Sequence, residues 1–506
     1  MEQTRRDFLM AAAGFAVAAE SVLGASVSPG EFTKYDGLGL AELVKNKQIT
    51  ALELVDEVAR SVERVNPKIN AVLTKNFDFE KARDRAKSGA VTGPFAGVPV
   101  MLKNLTQYKD ARIDSGSRLM ARFIAKNGNP DQHNSPLVDA MERSGMIVTG
   151  ITNAPEYGLI DTTEPILHGP TRNPWNTGRT AGGSSGGTAA AVAAGIIPLA
   201  HGNDGGGSIR IPSCQCGVFG LKPTRGRELG NGGPPGMPDA LNISSDLCLS
   251  RSVRDSAAFL NVVENKNNPK LKPVGYITGP SKKRLKMALV LETFQGKQPD
   301  PAVEKATRAV AKLCDQLGHH VEESKLPFDG PEFIDAFIGF WASDTVPLEG
   351  QVAKLLGPGV KPEDVLEPWT LGLIEMGKSR GEDKCVQRAL KTFGETSARL
   401  EKMFQTYDVI LSPVMRKPPY PIGWHAPTVD FKTLLPRVLE EVGYTPLHNA
   451  VGSTAMSMPL ERTADSLPVG TQFAAWKGGE ATLLQLAYEL EAAHPWAGKH
   501  PRIFAA

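Results

Sequence analysis

The chain has 506 residues, of which 41% are hydrophobic and 22% charged, so it can build a large buried core and is not expected to be disordered. Its 57 Lys and Arg against 55 Asp and Glu give a formal net charge of +2, with no long run of one sign after the N-terminus, which argues against nucleic acid or an anionic membrane as a partner. The five cysteines are too few for a disulfide framework, and we expect them to be small buried hydrophobic residues. Without an HExxH or paired CxxC motif, the sequence gives no support for a metal or another cofactor.

The first 28 residues have the pattern of an export signal. TRRDFLM at positions 4–10 is followed by the apolar run AAAGFAVAA and then by small residues up to Ser28. Twin arginines before a short apolar stretch are typical of the twin-arginine pathway, and the stretch is shorter than the ~20 apolar residues of a permanent membrane helix. We therefore predict cleavage near Gly24 to Ser28 and a soluble periplasmic protein. The alternative is an amphipathic N-terminal helix that begins with two arginines.

Helical and strand patterns alternate along the first half of the mature chain. Thr50 begins a helix, because Glu53 completes a capping box and the following apolar residues repeat at helical spacing. Residues 70–74 (NAVLT) predict a strand, and residues 97–104 predict a short buried strand that contains Lys103 near its end. Further predicted elements are helices at 79–87, 135–144 and 186–194 and strands at 146–150 and 196–200.

The second half continues the alternation, with predicted strands at 286–291, 409–411, 455–458 and 469–473 and helices at 301–317 and 480–493. This order predicts an α/β fold with a large mixed or mostly parallel central sheet and helices on both faces. We expect one domain over residues 29–506. A helix-rich region at about 327–403 is predicted to form a cap on it.

Two glycine-rich segments carry the chemistry, GGSSGG at 182–187 and GNDGGGSIRIPS at 202–213. Closely spaced glycines allow successive backbone amides to point into one cavity, which is what the oxyanion of a tetrahedral intermediate requires. Ser208 stands at the end of such a run of amides and is predicted to attack the carbonyl that they hold.

A serine hydroxyl needs a base to become a good nucleophile. Lys103 ends a buried apolar strand, and burial lowers the pKa of a lysine, so its amine could be neutral near pH 7. The alternative, a lysine at a strand end that extends to solvent, is common for this residue type.

Three other interpretations of the glycine-rich segments compete with this one. A flexible linker does not fit, because apolar helix and strand patterns interrupt the segments. A phosphate loop requires a lysine that neither segment supplies. The nucleophile elbow GxSxG fits Ser184 and Ser185 and would indicate an α/β-hydrolase-type esterase, but RNPWNTGRTA precedes it instead of a buried strand.

Together, GGSSGG, GNDGGGSIRIPS, the following CGVFGLKPTRGR and the strand VPVMLKN resemble, in order and spacing, the motifs of amidase signature enzymes over nearly the whole mature chain. Within that family, GNDGGGS and LKNLT look most like the branch that contains 6-aminohexanoate cyclic dimer hydrolase. The resemblance implies the amidase signature fold and hydrolysis of a small linear or cyclic amide through an acyl-enzyme.

The resemblance also implies roles for single residues. Lys103, Ser184 with a cis peptide bond, and Ser208 would form the Ser-cisSer-Lys triad, and the amides of Gly205, Gly206 and Gly207 would line the oxyanion hole. Asp204, Arg210 and Ser185 are expected to hold the loop in place rather than to act as acid or base. The sequence departs from a common family form at Asn104, where an aspartate often stands, and at Gly205, where a threonine is frequent.

The expected partner is a small-molecule amide, with no nucleic acid and no stable membrane insertion, and the sequence leaves a homodimer open. A contrasting hypothesis is an amidase subunit of a larger amidotransferase complex that modifies transfer RNA. The predicted export argues against it, because transfer RNA is absent from the periplasm. A catalytically silent binding protein on the same fold is a third alternative, which three filled triad positions disfavour.

Overall fold

The computed structural model describes residues 29–89, 91–230 and 239–506, so the predicted export signal lies outside the described residues. Twelve strands occur in these ranges: β1 (Pro99–Lys103), β2 (Ile147–Thr152), β3 (Arg172–Asn173), β4 (Asn176–Thr180), β5 (Leu199–Asp204), β6 (Phe219–Lys222), β7 (Ser245–Ser250), β8 (Lys286–Leu289), β9 (His320–Glu323), β10 (Val409–Pro413), β11 (Thr454–Arg462) and β12 (Pro468–Ala475).

The α-helices of the same ranges are α1 (Gly37–Lys45), α2 (Ala51–Ile69), α3 (Phe79–Lys87), α4 (Arg118–Asn127), α5 (Pro136–Arg143), α6 (Gly186–Ala193), α7 (Arg210–Cys216), α8 (Val253–Val263), α9 (Pro301–Gln316), α10 (Gly330–Ser343), α11 (Pro347–Leu356), α12 (Pro368–Arg380), α13 (Glu382–Thr406), α14 (Phe431–Glu441), α15 (Pro446–Ala450) and α16 (Glu480–Ala493). Helices and strands alternate over much of the chain, as the sequence predicts.

A ten-stranded sheet forms the centre of the described structure, in the order β2-β1-β5-β7-β6-β11-β12-β10-β8-β9. The three strands at each end of this order pair in parallel, and the pairings between β5 and β10 through the middle are antiparallel. The central sheet is therefore mixed, which confirms the predicted fold class. The short strands β3 and β4 form a separate two-stranded sheet.

The N-terminal helices form as their sequence patterns predict. Thr50 and Glu53 complete the capping box of α2, with the Thr50 amide 2.8 Å from the Glu53 carboxylate. The apolar stripe of α2 is buried and joins the largest core cluster together with residues of β1, β2 and β5. Each large apolar side chain buried in this way contributes roughly 1.5–3 kcal/mol. This packing fixes the strand on which Lys103 stands.

Two predicted strands are wrong in detail. Within residues 70–74 only Val72 makes an isolated bridge, to Thr152, because the Asn66 side chain accepts from the amides of Ala71 and Val72 and closes a turn instead. The strand predicted at 196–200 runs instead from Leu199 to Asp204, since it pairs along that length with β7. Part of the glycine-rich motif is thus strand.

The helices α10 to α13 occupy most of the region predicted as a cap, and the division of residues 29–506 into a domain with such a cap stays a prediction. All five cysteines are unpaired and buried, as expected for small hydrophobic residues. Within the described ranges, no helix has the length and apolar character needed to cross a membrane.

Candidate active site

The ends of two neighbouring parallel strands bring the central residues together. Lys103 is the last residue of β1, and Asn203 and Asp204 end β5, which pairs with β1 through Met101 and Ala200. Because parallel strands finish at the same edge of a sheet, side chains about a hundred positions apart in sequence meet there.

Lys103 is fully buried, and its Nζ donates to the Oγ of Ser184 at 2.6 Å. The same Nζ also donates to the Oδ1 of Asn203. The amine is therefore held between two oxygen atoms inside the protein. A lysine that extends to solvent, the common behaviour at a strand end, does not describe Lys103.

The environment of Lys103 favours a neutral amine. Burial lowers the pKa of Lys103 to about 7, because the charged form loses its hydration, and the negative charges of Asp246 and Asp204 oppose this shift. Near neutral pH a large fraction of molecules then carries an amine with a lone pair, which can accept a proton from the Ser184 hydroxyl.

The GGSSGG segment places two serines between Lys103 and the loop that follows β5. Ser184 is almost fully buried, and the peptide bond that precedes it, Gly183–Ser184, is cis. Ser185 donates from its amide to the Ser208 carbonyl and from its hydroxyl to the Asn203 carbonyl, each at 3.3 Å. Ser185 thus ties the segment to the loop and leaves Ser184 facing Lys103.

The strand before this segment is not the one that a nucleophile elbow requires. β4 ends at Thr180 and belongs to the separate two-stranded sheet, whereas the elbow follows a strand of the main sheet. The Ser184–Ser185 segment therefore lacks the structural context of an α/β-hydrolase nucleophile.

In the loop from Gly205 to Ser208, the backbone amides of two glycines have no hydrogen-bond partner among the described residues, and that of a third glycine is hydrogen-bonded within the protein. Gly207 has a φ of +140°, a conformation that favours glycine, and its amide donates to the Asp204 carboxylate at 2.7 Å. The amides of Gly205 and Gly206 donate to no group in the part of the chain that the structure describes. Of the three amides expected to bind an oxyanion, Gly205 and Gly206 are thus open to a ligand, whereas that of Gly207 is occupied.

A buried ion pair anchors this loop to the rest of the sheet. The Asp204 carboxylate accepts from Arg210 Nε and Nη2, both at 2.9 Å, and neither side chain is exposed. Arg210 also donates to Thr445, Asn449 and Gln472. Although burial alone would raise it, the Arg210 guanidinium holds the pKa of Asp204 well below its usual range. Asp204 stays ionised, which suits the structural role expected for both residues.

Ser208 lies where two cavities meet, and it is 8% exposed. The first cavity, here the apolar lobe, is about 540 Å³ including space open to solvent. The second, here the polar lobe, is about 840 Å³ on the same measure. Residues of the apolar lobe include Ile211, Ile334, Phe337, Ile338, Trp369 and Val438. Residues of the polar lobe include Tyr157, Ser184, Asn203, Phe340, Trp341 and Asp344. Both volumes suit a small organic ligand.

Sequence reasoning missed a buried polar chain beside Lys103. Thr106 Oγ1 and His201 Nδ1 lie 2.9 Å apart, and His201 Nε2 lies 3.0 Å from Asp246 Oδ1. A neutral imidazole that donates to Asp246 accepts from the Thr106 hydroxyl. Asn203, which contacts the Lys103 amine, was not singled out either. Its place beside Asp204 in the glycine-rich motif is the one local signal that could have indicated it.

Asn104, where the sequence departs from the common family form, has a buried carboxylate as its partner. Its amide nitrogen donates to Asp114 Oδ1 at 2.7 Å, and its oxygen accepts from the Asp114 backbone amide. His168 lies 2.9 Å from the same Asp114 oxygen. No cluster of three or more His, Cys, Asp or Glu able to hold a metal occurs in the residues that the structure describes.

The profile of the family described as Amidase matches residues 53–484, which is most of the chain. The protein belongs to the amidase signature family. An amidase of this family is a hydrolase that acts on amide bonds, and the same residue range contains Lys103, both serines of the GGSSGG segment and Ser208.

Individual relatives of this amidase match over nearly their whole length. AmiC of Mycobacterium leprae, provisionally named an amidase, is 36% identical over 463 residues, covering 91% of this chain and 96% of the relative. The 6-aminohexanoate-cyclic-dimer hydrolase of Pseudomonas sp. strain NK87 is 32% identical over 492 residues, covering 92% and 96%.

The fold of this amidase matches a solved structure of the same branch. A 6-aminohexanoate cyclic dimer hydrolase complexed with substrate superimposes with a TM-score of 0.81 at 31% identity, covering 93% of this chain and 99% of that one. The resemblance to that branch, carried in the sequence by GNDGGGS and LKNLT, is confirmed.

Proposed function

We propose that this amidase cleaves its substrate through an acyl-enzyme on Ser208, with Ser184 and Lys103 as the proton relay. The observation that carries the proposal is the fully buried Lys103 amine, 2.6 Å from the Ser184 hydroxyl at the wall of a cavity that also reaches Ser208. A buried amine with a pKa of about 7 can both accept and return a proton near neutral pH.

In the first step the Ser208 oxygen bonds to the substrate carbonyl carbon. Its proton passes to the Ser184 oxygen as the Ser184 proton passes to Lys103 Nζ. The carbonyl oxygen becomes an oxyanion, and the open amides of Gly205 and Gly206 are placed to bind it.

In the second step the bond between carbon and nitrogen breaks, and the leaving nitrogen takes a proton from Ser184, which regains one from Lys103. The amine departs and the acyl group stays on Ser208 as an ester. Water then attacks this ester, the same relay removes and returns the proton, and the carboxylic acid leaves. No proton or electron is left over at the end of the cycle.

The direction of proton transfer indicates which part of the substrate lies in each lobe. Ser184 must face the leaving nitrogen and lines the polar lobe, so the amine part of the substrate occupies that lobe. The apolar lobe then receives the acyl part, since its walls are mostly aliphatic and aromatic. We infer a small linear or cyclic amide with an apolar acyl portion as the substrate class.

The test is mass spectrometry after incubation with a fluorophosphonate, which loses fluoride as it bonds to an activated serine. We expect one adduct, on Ser208, which is absent from Ser208→Ala and retained in the matched control Ser213→Ala. Labelling of Ser184 or Ser185 would instead favour the nucleophile-elbow esterase. Lys103→Ala and Ser184→Ala should each lower kcat by roughly 10²–10⁴ while the protein remains folded.

A second measurement distinguishes a free-standing enzyme from a subunit of a larger complex. We expect the purified protein to hydrolyse simple aryl amides without another chain, and light scattering during gel filtration to give a monomer or a homodimer. A protein that is inactive alone and gains activity only with partner chains would favour the amidotransferase subunit.

A further inference from the structure

The polar lobe carries a single negative charge in an otherwise uncharged wall. Among the described residues that line it, Asp344 is the one carboxylic acid and none is Lys, Arg or His; the others are apolar, aromatic, hydroxyl, amide or glycine residues. The carboxylate of Asp344 has no hydrogen bond or ion pair within the described ranges, although its side chain is open to the cavity. Asp344 is exposed at this wall, and the surrounding protein raises the pKa of its carboxylate because it desolvates part of the group.

The place of Asp344 in the fold adds to its negative potential. Asp344 is the C-cap of α10, directly after Ser343, and the dipole of a helix gives its C-terminal end a partial negative charge. The helix dipole of α10 does not stabilise a carboxylate at this end of the helix. A bound cation would benefit from both the carboxylate and the helix end.

Aromatic rings complete the surroundings. Tyr157, Phe340 and Trp341 line the same lobe, and Trp341 is fixed by a hydrogen bond of 3.3 Å from its indole nitrogen to the Leu159 carbonyl. Ring faces attract ammonium groups, by about 0.5–1 kcal/mol at exposed sites and by more when desolvated. The apolar lobe differs, because its one carboxylate, Asp161, is already bound to Tyr420 and His425.

We propose that Asp344 is a specificity-determining residue that selects amides whose leaving amine carries a second, positively charged amino group. The proposal rests on the proposed function, because the proton relay through Ser184 is what places the leaving amine in the polar lobe. The substrate class is then an apolar acyl group joined in amide linkage to one nitrogen of a diamine.

Two amides that differ only in charge provide the test. In N-(3-aminopropyl)hexanamide the leaving diamine ends in an ammonium group, and in N-butylhexanamide a methyl group takes its place. We expect the wild-type enzyme to hydrolyse the charged amide with a kcat/KM about tenfold higher than that of the neutral one, mainly through KM. In Asp344→Asn, which keeps the shape of the side chain, the preference should disappear while the neutral amide reacts at the wild-type rate within about twofold.

The control variant is Asp364→Asn, which removes an exposed carboxylate at the end of a short 3-10 helix and does not line either lobe. It should leave the preference unchanged. A wild-type enzyme that prefers the neutral amide, or a preference that survives in Asp344→Asn, would overturn the proposal.

Isothermal titration calorimetry measures how tightly the two amides bind to the Ser208→Ala variant, and this measurement tests the role of Asp344 separately from the proposed catalytic mechanism. The charged amide should bind about tenfold more tightly than the neutral amide, and this difference should vanish in the Ser208→Ala, Asp344→Asn double variant. Equal binding of the two amides contradicts the role of Asp344 whichever serine is the nucleophile. A charge preference in binding combined with fluorophosphonate labelling elsewhere than Ser208 would leave Asp344 supported and overturn the proposed nucleophile alone.

Discussion

At the scale of single residues, the site combines an amine that is expected to be neutral with a carboxylate that must stay charged. Lys103 and Asp204 end neighbouring parallel strands and are both fully buried. The pKa of each is lowered, which favours the neutral form of the Lys103 amine but the charged form of the Asp204 carboxylate. The difference is in their partners. Lys103 faces a hydroxyl and an amide oxygen, whereas Asp204 faces the permanent charge of Arg210.

The first prediction concerns pH. Because burial brings the pKa of Lys103 to about 7 and the relay requires the neutral amine, kcat/KM should rise with pH and level off above about 7. Below that pH the lysine gains a proton and activity should fall about tenfold per unit. Replacing Asp246 by Asn removes a negative charge that raises this pKa, so the rising limb should move to lower pH. A profile that is flat from pH 5 to 8 would exclude Lys103 as the base.

The second prediction concerns the buried ion pair. Asp204→Asn leaves the Arg210 guanidinium buried without its counter-charge, which costs about 3–5 kcal/mol in comparable cases. The free energy of unfolding, measured with urea, should fall by that order. Asp84→Asn is the control, because its pair with Lys87 is long and exposed and should change stability by less than about 1 kcal/mol. A similar loss in both variants would contradict the anchoring role of Asp204.

At the scale of elements, α6 shows why the GGSSGG segment ends in glycine. A Cβ added at Gly187 would lie 2.5 Å from the Asn153 carbonyl oxygen and 2.7 Å from that of Ala71, both of them backbone atoms. The helix that follows Ser184 and Ser185 can approach the chain near β2 this closely only without a side chain at this position. The glycines therefore serve packing as well as the loop.

The third prediction compares two helical glycines. Gly187→Ala should destabilise the protein by about 1–3 kcal/mol, because the new methyl group overpacks against backbone. It should also lower activity, since α6 positions the two serines. Gly394→Ala lies in the exposed face of α13 with nothing near its Cβ and should stabilise by about 0.5–1 kcal/mol. Thermal unfolding of both variants checks this, and equal shifts would contradict the packing argument.

Elements with a local signal could be predicted from the sequence, and elements that depend on distant partners could not. The capping box of Thr50 and the stripe of α2 are local, and both form as predicted. The strand β5 is longer than its apolar run because β7, some forty positions later, pairs along it as far as Asp204. The NAVLT stretch is apolar enough for a strand, but the side chain of Asn66 satisfies its backbone first.

The site follows the same rule. Lys103, Ser184 and Ser208 stand in motifs of short range, and the sequence therefore indicated them as candidates. Asn449 donates to Asp204, and Gln472 accepts from Arg210. Both hydrogen bonds join residues more than two hundred positions apart in sequence, and no local pattern near Asn449 or Gln472 predicts them. No sequence pattern indicates Asp344 either, because the cavity that it lines forms only when α10 packs beside the sheet.

At the scale of the whole molecule, the five cysteines bear on the proposed route of export. All five are unpaired and buried, and burial raises the pKa of each of their thiols. Such thiols are poor nucleophiles once the protein has folded, but an unfolded chain that enters an oxidising compartment exposes them. We propose that the protein is exported after folding, as the twin arginines near its N-terminus predict, and this order would protect the thiols.

The last prediction tests this route, which we propose for the protein. Changing Arg5 and Arg6 to Lys keeps the charge of the leader but alters the twin-arginine motif, so the protein should accumulate in the cytoplasm. Immunoblots and amidase assays of periplasmic and cytoplasmic fractions measure the distribution, and the retained protein should be folded and active. A matched change of Lys45 and Lys47, which lie beyond the leader, to Arg should leave export unaltered. Unchanged export of the leader variant would contradict the twin-arginine route. If the retained cytoplasmic protein is inactive and the exported wild-type protein carries oxidised cysteines, the view that folding precedes transport is contradicted.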